Sequence, residues 1–252
     1  DYRYILNDCK PSLILVSNQD QFKKIKKFIN NNIKKIISFE KIEADSLLIE
    51  DILNEHISEK IINKNLKRNM PACIIYTSGT SGNPKGVVLS HGGILSNCEG
   101  AVELLEPLVN KKNPVFLTWL PLSHSYEHTV QFIQIIVGAK VFYAESLEKL
   151  ISNMGSAKPT IMTAVPRFYQ NLFTKININF EKQSGLKRKL INQTLNLGKK
   201  ILKKEKLSLG EKIMNFLCEN LVRKKIRNQF GGNLQAFVSG GGALDQKIGE
   251  FL

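Results

Sequence analysis

The chain has 252 residues and a mass of 28.5 kDa, with 42% hydrophobic and 23% charged residues, which excludes a peptide-sized or wholly disordered protein. That length fits one large domain or two small ones. The formal net charge is +14, from 36 Lys and Arg against 22 Asp and Glu, and Lys outnumbers Arg 30 to 6, whereas readers of nucleic-acid bases favour Arg. Cys9, Cys73, Cys98 and Cys218 stand far apart and away from histidine at metal-ligand spacing, so structural zinc and a dense disulfide framework are not expected.

In chain order, short β-rich apolar runs at 12–17, 72–77, 86–90, 115–120, 139–144, 160–165 and 234–239 read as buried strands. Helical patterns at 21–30, 94–105, 129–137, 147–153 and 166–176 lie between several of them. This alternation predicts an α/β fold: layered, parallel-rich sheets with flanking helices, and chemistry in the loops at the carboxyl ends of strands. From Ser184 to Asn228, Leu186, Leu190, Leu197 and Ile201, then Ile213, Leu217 and Leu221, recur at helical spacing and predict an inserted basic helical hairpin. Ser208 with Glu211 gives a capping box for its second helix, and Gly231-Gly232 ends it.

The charge follows this division. Residues 167–228 hold 16 Lys and Arg against 4 Asp and Glu, or +12, while 1–166 carry +3 (19 against 16) and 229–252 carry −1 (1 against 2). We therefore read 1–166 and 229–252 as the α/β part and 167–228 as a basic helical insertion. The apolar stretch Val130–Ala144 is broken by Gln131, Gln134 and Lys140, so no spanning helix is expected. The expected location is cytoplasmic, with the insertion able to rest on the anionic inner face of a membrane. The first residue is Asp and the last, Leu252, falls within a helix begun at Asp245, so both ends read as cut and the chain as an internal fragment.

The run Thr77-Ser78-Gly79-Thr80-Ser81-Gly82-Asn83-Pro84-Lys85-Gly86 follows one strand and leads into another. Its glycines let backbone N–H groups approach oxygens, its hydroxyls donate hydrogen bonds and Lys85 brings a mobile charge, which together suit a triphosphate. A P-loop is excluded, because Pro84 stands five residues after Gly79 and Gly86 follows Lys85. A flexible polar surface turn accounts for the small residues but not for their place directly after a buried strand.

These ten residues closely resemble the signature of the adenylate-forming superfamily, which includes acyl-CoA synthetases, luciferases and peptide-synthetase adenylation domains. Further resemblances follow in order: Leu120-Pro121-Leu122-Ser123-His124-Ser125-Tyr126-Glu127, Tyr143-Ala144-Glu145-Ser146, Pro159-Thr160, Val165-Pro166-Arg167 and Ser239-Gly240-Gly241-Gly242-Ala243-Leu244. With the basic stretch ending Leu221-Val222-Arg223-Lys224-Lys225-Ile226-Arg227, they resemble the long-chain fatty-acyl-CoA synthetase branch and a partial N-terminal domain of that fold.

The resemblance implies a long-chain fatty acid, ATP, Mg2+ and CoA, with an acyl-adenylate formed first and the acyl group then passed to CoA. It implies catalytic roles for Lys85 and His124, and nucleotide binding by Thr77, Ser78, Gly79, Thr80, Ser81, Gly82, Lys85, Gly240, Gly241, Gly242 and Ala243. Thr77 is also the implied magnesium contact. His124 has two readings, orientation or neutralisation of the acid's carboxylate, or a satisfied structural histidine. Arg167 is equally readable as functional or as a helix-start residue pairing locally. His128 stands four residues after His124 without a metal-ligand partner, and His56 and His91 read as solvated or packing residues.

Leu244 stands where the family usually has Pro. The family's magnesium-binding Glu, ribose-binding Asp, hinge and C-terminal Lys would fall beyond Leu252, so this piece alone is expected to be inactive. Two other functions fit: a fatty-acyl-AMP ligase serving a carrier protein, and a non-catalytic basic module binding membrane or nucleic acid. Few aromatics interleave with the basic residues, which disfavours the nucleic-acid version.

Overall fold

The computed structural model describes residues 1–55, 65–78, 82–109 and 113–252. Two compact units divide the chain, Asp1–Ile94 and Leu95–Leu252. His56, Gly79, Thr80 and Ser81 lie outside the described residues.

The first unit holds α1 (Tyr2–Cys9), β1 (Leu13–Val16), α2 (Gln19–Ile25), β2 (Lys35–Ser38), the two-residue β3 (Leu47–Leu48) and α3 (Ile49–Asn54). Asn18 starts α2 by accepting the backbone N–H of Gln21. Strands β1, β2 and β3 form a parallel sheet over a small core of Val16, Phe22 and Ile25. Of these elements, α1, β2, β3 and α3 have no counterpart in the sequence reading; each is short, from two to eight residues.

β4 (Pro71–Thr77) and β5 (Lys85–Ser90) form a separate two-stranded sheet. They pair antiparallel, an exception within an otherwise parallel-rich fold. The cause is length: residues 78–84 are too few for a crossover, which takes a dozen residues or more, but enough for a hairpin connection. Helix α4 (His91–Val109) begins three residues before its expected start and continues into the second unit.

The second unit is built on a parallel sheet ordered β7-β6-β8-β9, from β6 (Val115–Thr118), β7 (Lys140–Tyr143), β8 (Ile161–Ala164) and β9 (Ala236–Ser239). Adjacent residues on these strands face opposite layers. Phe116 and Ile161 pack with Val130 of α5 (Ser125–Ile136). Their neighbours Leu117 and Met162 pack with Leu150 and Met154 of α6 (Leu150–Ala157) and with Phe230. Helices therefore cover both faces, as a parallel sheet requires.

α7 (Pro166–Glu181) starts with proline at its first position, where the missing N–H costs nothing. The basic segment then folds as α8 (Gly185–Leu202), α9 (Leu209–Cys218), a π-helical turn at Glu219–Arg223 and α10 (Lys224–Gln229). The capping box at Ser208 and Glu211 is formed in both directions. The π-helical turn, absent from the sequence reading, places Arg223 where it donates to Asn215 Oδ1 and to the Thr194 carbonyl. Two cysteines sit in helix contacts: Cys98 of α4 and Cys218 of α9 are both fully buried. The chain finishes in α11 (Gln246–Phe251), whose cap Asp245 accepts the N–H groups of Lys247 and Ile248. No helix among the described residues is long and apolar enough to cross a membrane.

Candidate active site

The sequence-predicted residues fall into two groups, one in each unit. In the first unit, the hairpin register sets Thr77 directly opposite Lys85 at the mouth of the loop. Both are exposed, as are Ser78 and Gly82, while Pro84 between them is buried and anchors the loop's returning arm. Gly82 has φ +89° with open space where a Cβ would be, so its glycine serves backbone conformation and not packing. Next to the mouth of the loop, the Tyr76 hydroxyl donates to Asp8 Oδ2 at 2.5 Å. Burial, followed by hydrogen bonding to Asp8 and Cys9, raises the phenol well above its ordinary value. No group of three or more His, Cys, Asp or Glu that could hold a metal occurs among the described residues. Thr77 therefore offers a metal one hydroxyl oxygen and no carboxylate.

In the second unit, the carboxyl ends of β6, β8 and β9 lie at the same end of the parallel sheet, and the loops that leave them carry the other predicted residues. The chain passes from β6 outward to β7 and then back across to β8, so the switch point falls between β6 and β8. Open α/β sheets bind ligands at such a point. His124 caps α5: its Nδ1 accepts the backbone N–H of Tyr126 at 3.2 Å. The neutral ring then carries its proton on Nε2, leaving an exposed donor.

The glycine loop meets this histidine. The backbone N–H of Gly240 donates to the Ala164 carbonyl at 3.1 Å, joining the ends of β8 and β9. A Cβ on Gly241, whose φ is +75°, would sit 3.5 Å from His124 Cε1, and one on Gly242 would sit 3.6 Å from Pro166. A Cβ on Gly240 would collide with the ring of Tyr126. The structure thus brings together His124, Gly240, Gly241, Gly242 and Pro166, with Ala243 exposed beside them. Arg167 is exposed on the first turn of α7, and His128 packs edge-on against Phe132.

Tyr126, Glu127, Tyr143 and Ser239 lie within the quoted motifs without a role assigned to them, and Tyr169, Thr118 and Thr163 lie outside those motifs. Tyr126 and Tyr169 both donate to the Val238 carbonyl, at 3.1 and 3.0 Å. Burial and the neighbouring Glu127 push the Tyr126 phenol up to about 12, and burial raises Tyr169 as well. Glu127 is fully buried, and among the described residues neither carboxylate oxygen has a well-formed hydrogen bond. Burial raises its pKa, and the adjacent Thr118 and Gln131 side chains only partly offset that. Thr118 itself accepts from Gln131 and Gln134, and Gln131 accepts from Tyr143. The buried hydroxyls of Thr163 in β8 and Ser239 in β9 have no hydrogen-bond partner among the described residues. A glutamate in the first turn after a strand-to-helix loop was the only sequence signal for this cluster.

Behind the glycine loop, a cavity of about 1230 Å³ is lined by α7, α8, α10, β9 and α11, with Phe173, Phe180, Leu202 and Phe251 on its walls and Ser239 at its edge.

The family pattern described as AMP-binding enzyme matches residues 1–252. The chain is 33% identical over 182 residues to the peroxisomal long chain acyl-CoA synthetase 6 of Arabidopsis thaliana, covering 72% of this chain and 25% of that protein. It is 29% identical over 264 residues to fatty acyl-CoA synthetase A of Dictyostelium discoideum, covering 99% of this chain and 38% of that protein. In structure it resembles the luciferase-like enzyme of the mealworm Zophobas morio, with a TM-score of 0.57 at 14% identity, covering 98% of this chain and 46% of that one. The chain thus spans between a quarter and two fifths of the length of these curated relatives.

Proposed function

From a chain that belongs to the AMP-binding enzyme family over residues 1–252, we propose that the whole protein activates a long-chain fatty acid with ATP and passes the acyl group to CoA. The observation that carries this reading is the corner where His124 and the Gly240–Gly242 backbone meet at the switch point of the parallel sheet. The exposed bare backbone of Gly241 and Gly242 there suits a planar base or the head of an acyl chain, while the Tyr126 ring already occupies the space at Gly240.

In the first step a carboxylate oxygen of the acid bonds to the α-phosphorus of ATP while the bond to pyrophosphate breaks. Lys85 and the backbone of the 78–84 loop stabilise the charge that builds on the departing pyrophosphate. A magnesium ion carried on the triphosphate would take one oxygen from Thr77 and add further neutralisation. His124 donates from Nε2 to the acid's carboxylate and orients it. In the second step the sulfur of CoA bonds to the acyl carbon as AMP leaves. The cavity that includes Ser239 offers Phe173, Phe180, Leu202 and Phe251 to an acyl chain, and Lys199, Lys203, Arg223, Arg227 and Lys247 line it as well.

The test is acid-dependent exchange of pyrophosphate into ATP by the whole protein. Exchange is expected with a sixteen-carbon acid, and Lys85→Ala is expected to lower it about ten- to a hundredfold without changing thermal stability. Absence of exchange with any fatty acid, or full exchange by the Lys85→Ala variant, overturns the reading. Release of acyl product by CoA, and not by a carrier protein, identifies the acceptor.

A further inference from the structure

The basic hairpin carries an arrangement that the ligase reading does not use. Ordinarily a surface helix turns its apolar stripe to the core. α9 also buries one face, where Cys218 packs by the Leu190 carbonyl and Glu211 pairs with Lys200 of α8 at 2.6 Å. Its other face is apolar too. Leu209, Ile213 and Phe216, spaced four and three residues apart on one stripe, are 77%, 61% and 68% exposed, and exposed Leu217 and Leu221 extend the patch.

The surroundings of this stripe are cationic. Residues 184–228 contain 13 Lys and Arg against three Glu, and two of those glutamates are held internally, Glu211 by Lys200 and Glu219 by Arg223 and Arg227. Lys203, Lys204 and Lys206 lead into α9, Lys212 lies on it and Lys224 and Lys225 follow the π-helical turn, all exposed. A second copy meeting this face with its own hairpin would bring charge of the same sign. We propose that the outer face of α9 docks on an anionic lipid bilayer, with Leu209, Ile213 and Phe216 entering the interface and the flanking lysines lying at the phosphate level. Apolar side chains on one face with lysines around them suit a helix lying in the plane of a membrane. The docking goes beyond the ligase reading and is independent of it.

Flotation of the whole protein with vesicles tests this, comparing pure phosphatidylcholine with phosphatidylcholine containing about 30% phosphatidylserine, a composition chosen to give a negative surface. Binding is expected only to the anionic vesicles, weakening as salt rises. Replacing Leu209, Ile213 and Phe216 together by Ser leaves the charge unchanged and should lower the partition coefficient at least about tenfold, given the apolar area each residue would bury. Phe216→Ser alone should lower it several-fold, and circular dichroism checks that each variant is folded. Replacing Lys203, Lys204, Lys206 and Lys212 by Gln should weaken binding and flatten its salt dependence.

Equal binding to both vesicles, no binding to either, or unchanged binding by the triple Ser variant overturns the proposal. So does a dimer by light scattering that the triple Ser variant dissolves. Shielding of a Phe216→Cys thiol from a water-soluble reagent without lipid would overturn it as well, because the rest of the chain would then be the occupant.

Discussion

The glycine corner at the end of the parallel sheet and the outer face of α9 treat side-chain volume in opposite ways. At the corner, Gly240 has no room for a methyl group because the Tyr126 ring fills it, and that ring is itself held by its bond to Val238. On α9, three large apolar side chains project with little around them. A position without a side chain is tightly determined in one place, while positions with large side chains are unconstrained by the fold in the other. Sequence character alone, glycine against leucine, would suggest the reverse.

The largest expected effect that sharpens this contrast comes from Gly240→Ala. The added methyl must displace a pinned ring, and overpacking of this kind costs about 1–3 kcal/mol, read as a fall in melting temperature of about 2–4 °C for each kcal/mol. An unchanged melting temperature would break the comparison. Next come Tyr126→Phe and Tyr169→Phe, each expected to cost about 0.5–1.5 kcal/mol by urea unfolding. Neither removes the last donor to the Val238 carbonyl, because the other tyrosine remains.

Glu127→Gln should act through pH. The carboxyl's folded pKa is raised by burial, so the native state binds more protons than the unfolded one above the ordinary carboxylate range. Wild-type stability should then fall as pH rises from about 4.5 through the raised value, a slope that the Gln variant lacks. Parallel pH profiles for the two proteins would mean that Glu127 titrates normally. The smallest effect belongs to Leu209→Ser and Phe216→Ser, each expected within about 0.5 kcal/mol of wild type in urea unfolding. A loss above about 1 kcal/mol would place those residues in a packed interface and erase the difference between the regions.

The sequence alone singles out the run Thr77–Gly86 and His124 as candidates because their chemistry is local: glycine, hydroxyl and charge within ten positions, and a histidine after a strand and a proline. The sheet itself was legible from its short apolar runs. The antiparallel pairing of β4 with β5 follows from the seven-residue connection, a length that the reading of the loop's chemistry did not use. Tyr126 and Gly240 meet only through folding, since the Tyr126 hydroxyl bonds a carbonyl 112 residues away, and no periodicity carries that distance. Likewise, the spacing of Ile213, Leu217 and Leu221 defines a helix face without saying which neighbour, if any, covers it. The π-helical turn shifts the register between α9 and α10, so a single helical period cannot describe both.

Two buried thiols give these regions separate clocks. Cys98 lies against the Thr129 carbonyl of α5, in the helix layer beside the sheet, and Cys218 lies against the Leu190 carbonyl of α8, inside the hairpin. A thiol in such a place is modified only when its surroundings open, so its labelling rate under native conditions measures local unfolding residue by residue. If α9 parts from α8 more often than α5 leaves the sheet, Cys218 will be alkylated before Cys98. Peptide mass mapping over time would then give an opening free energy for each region from one unmodified protein.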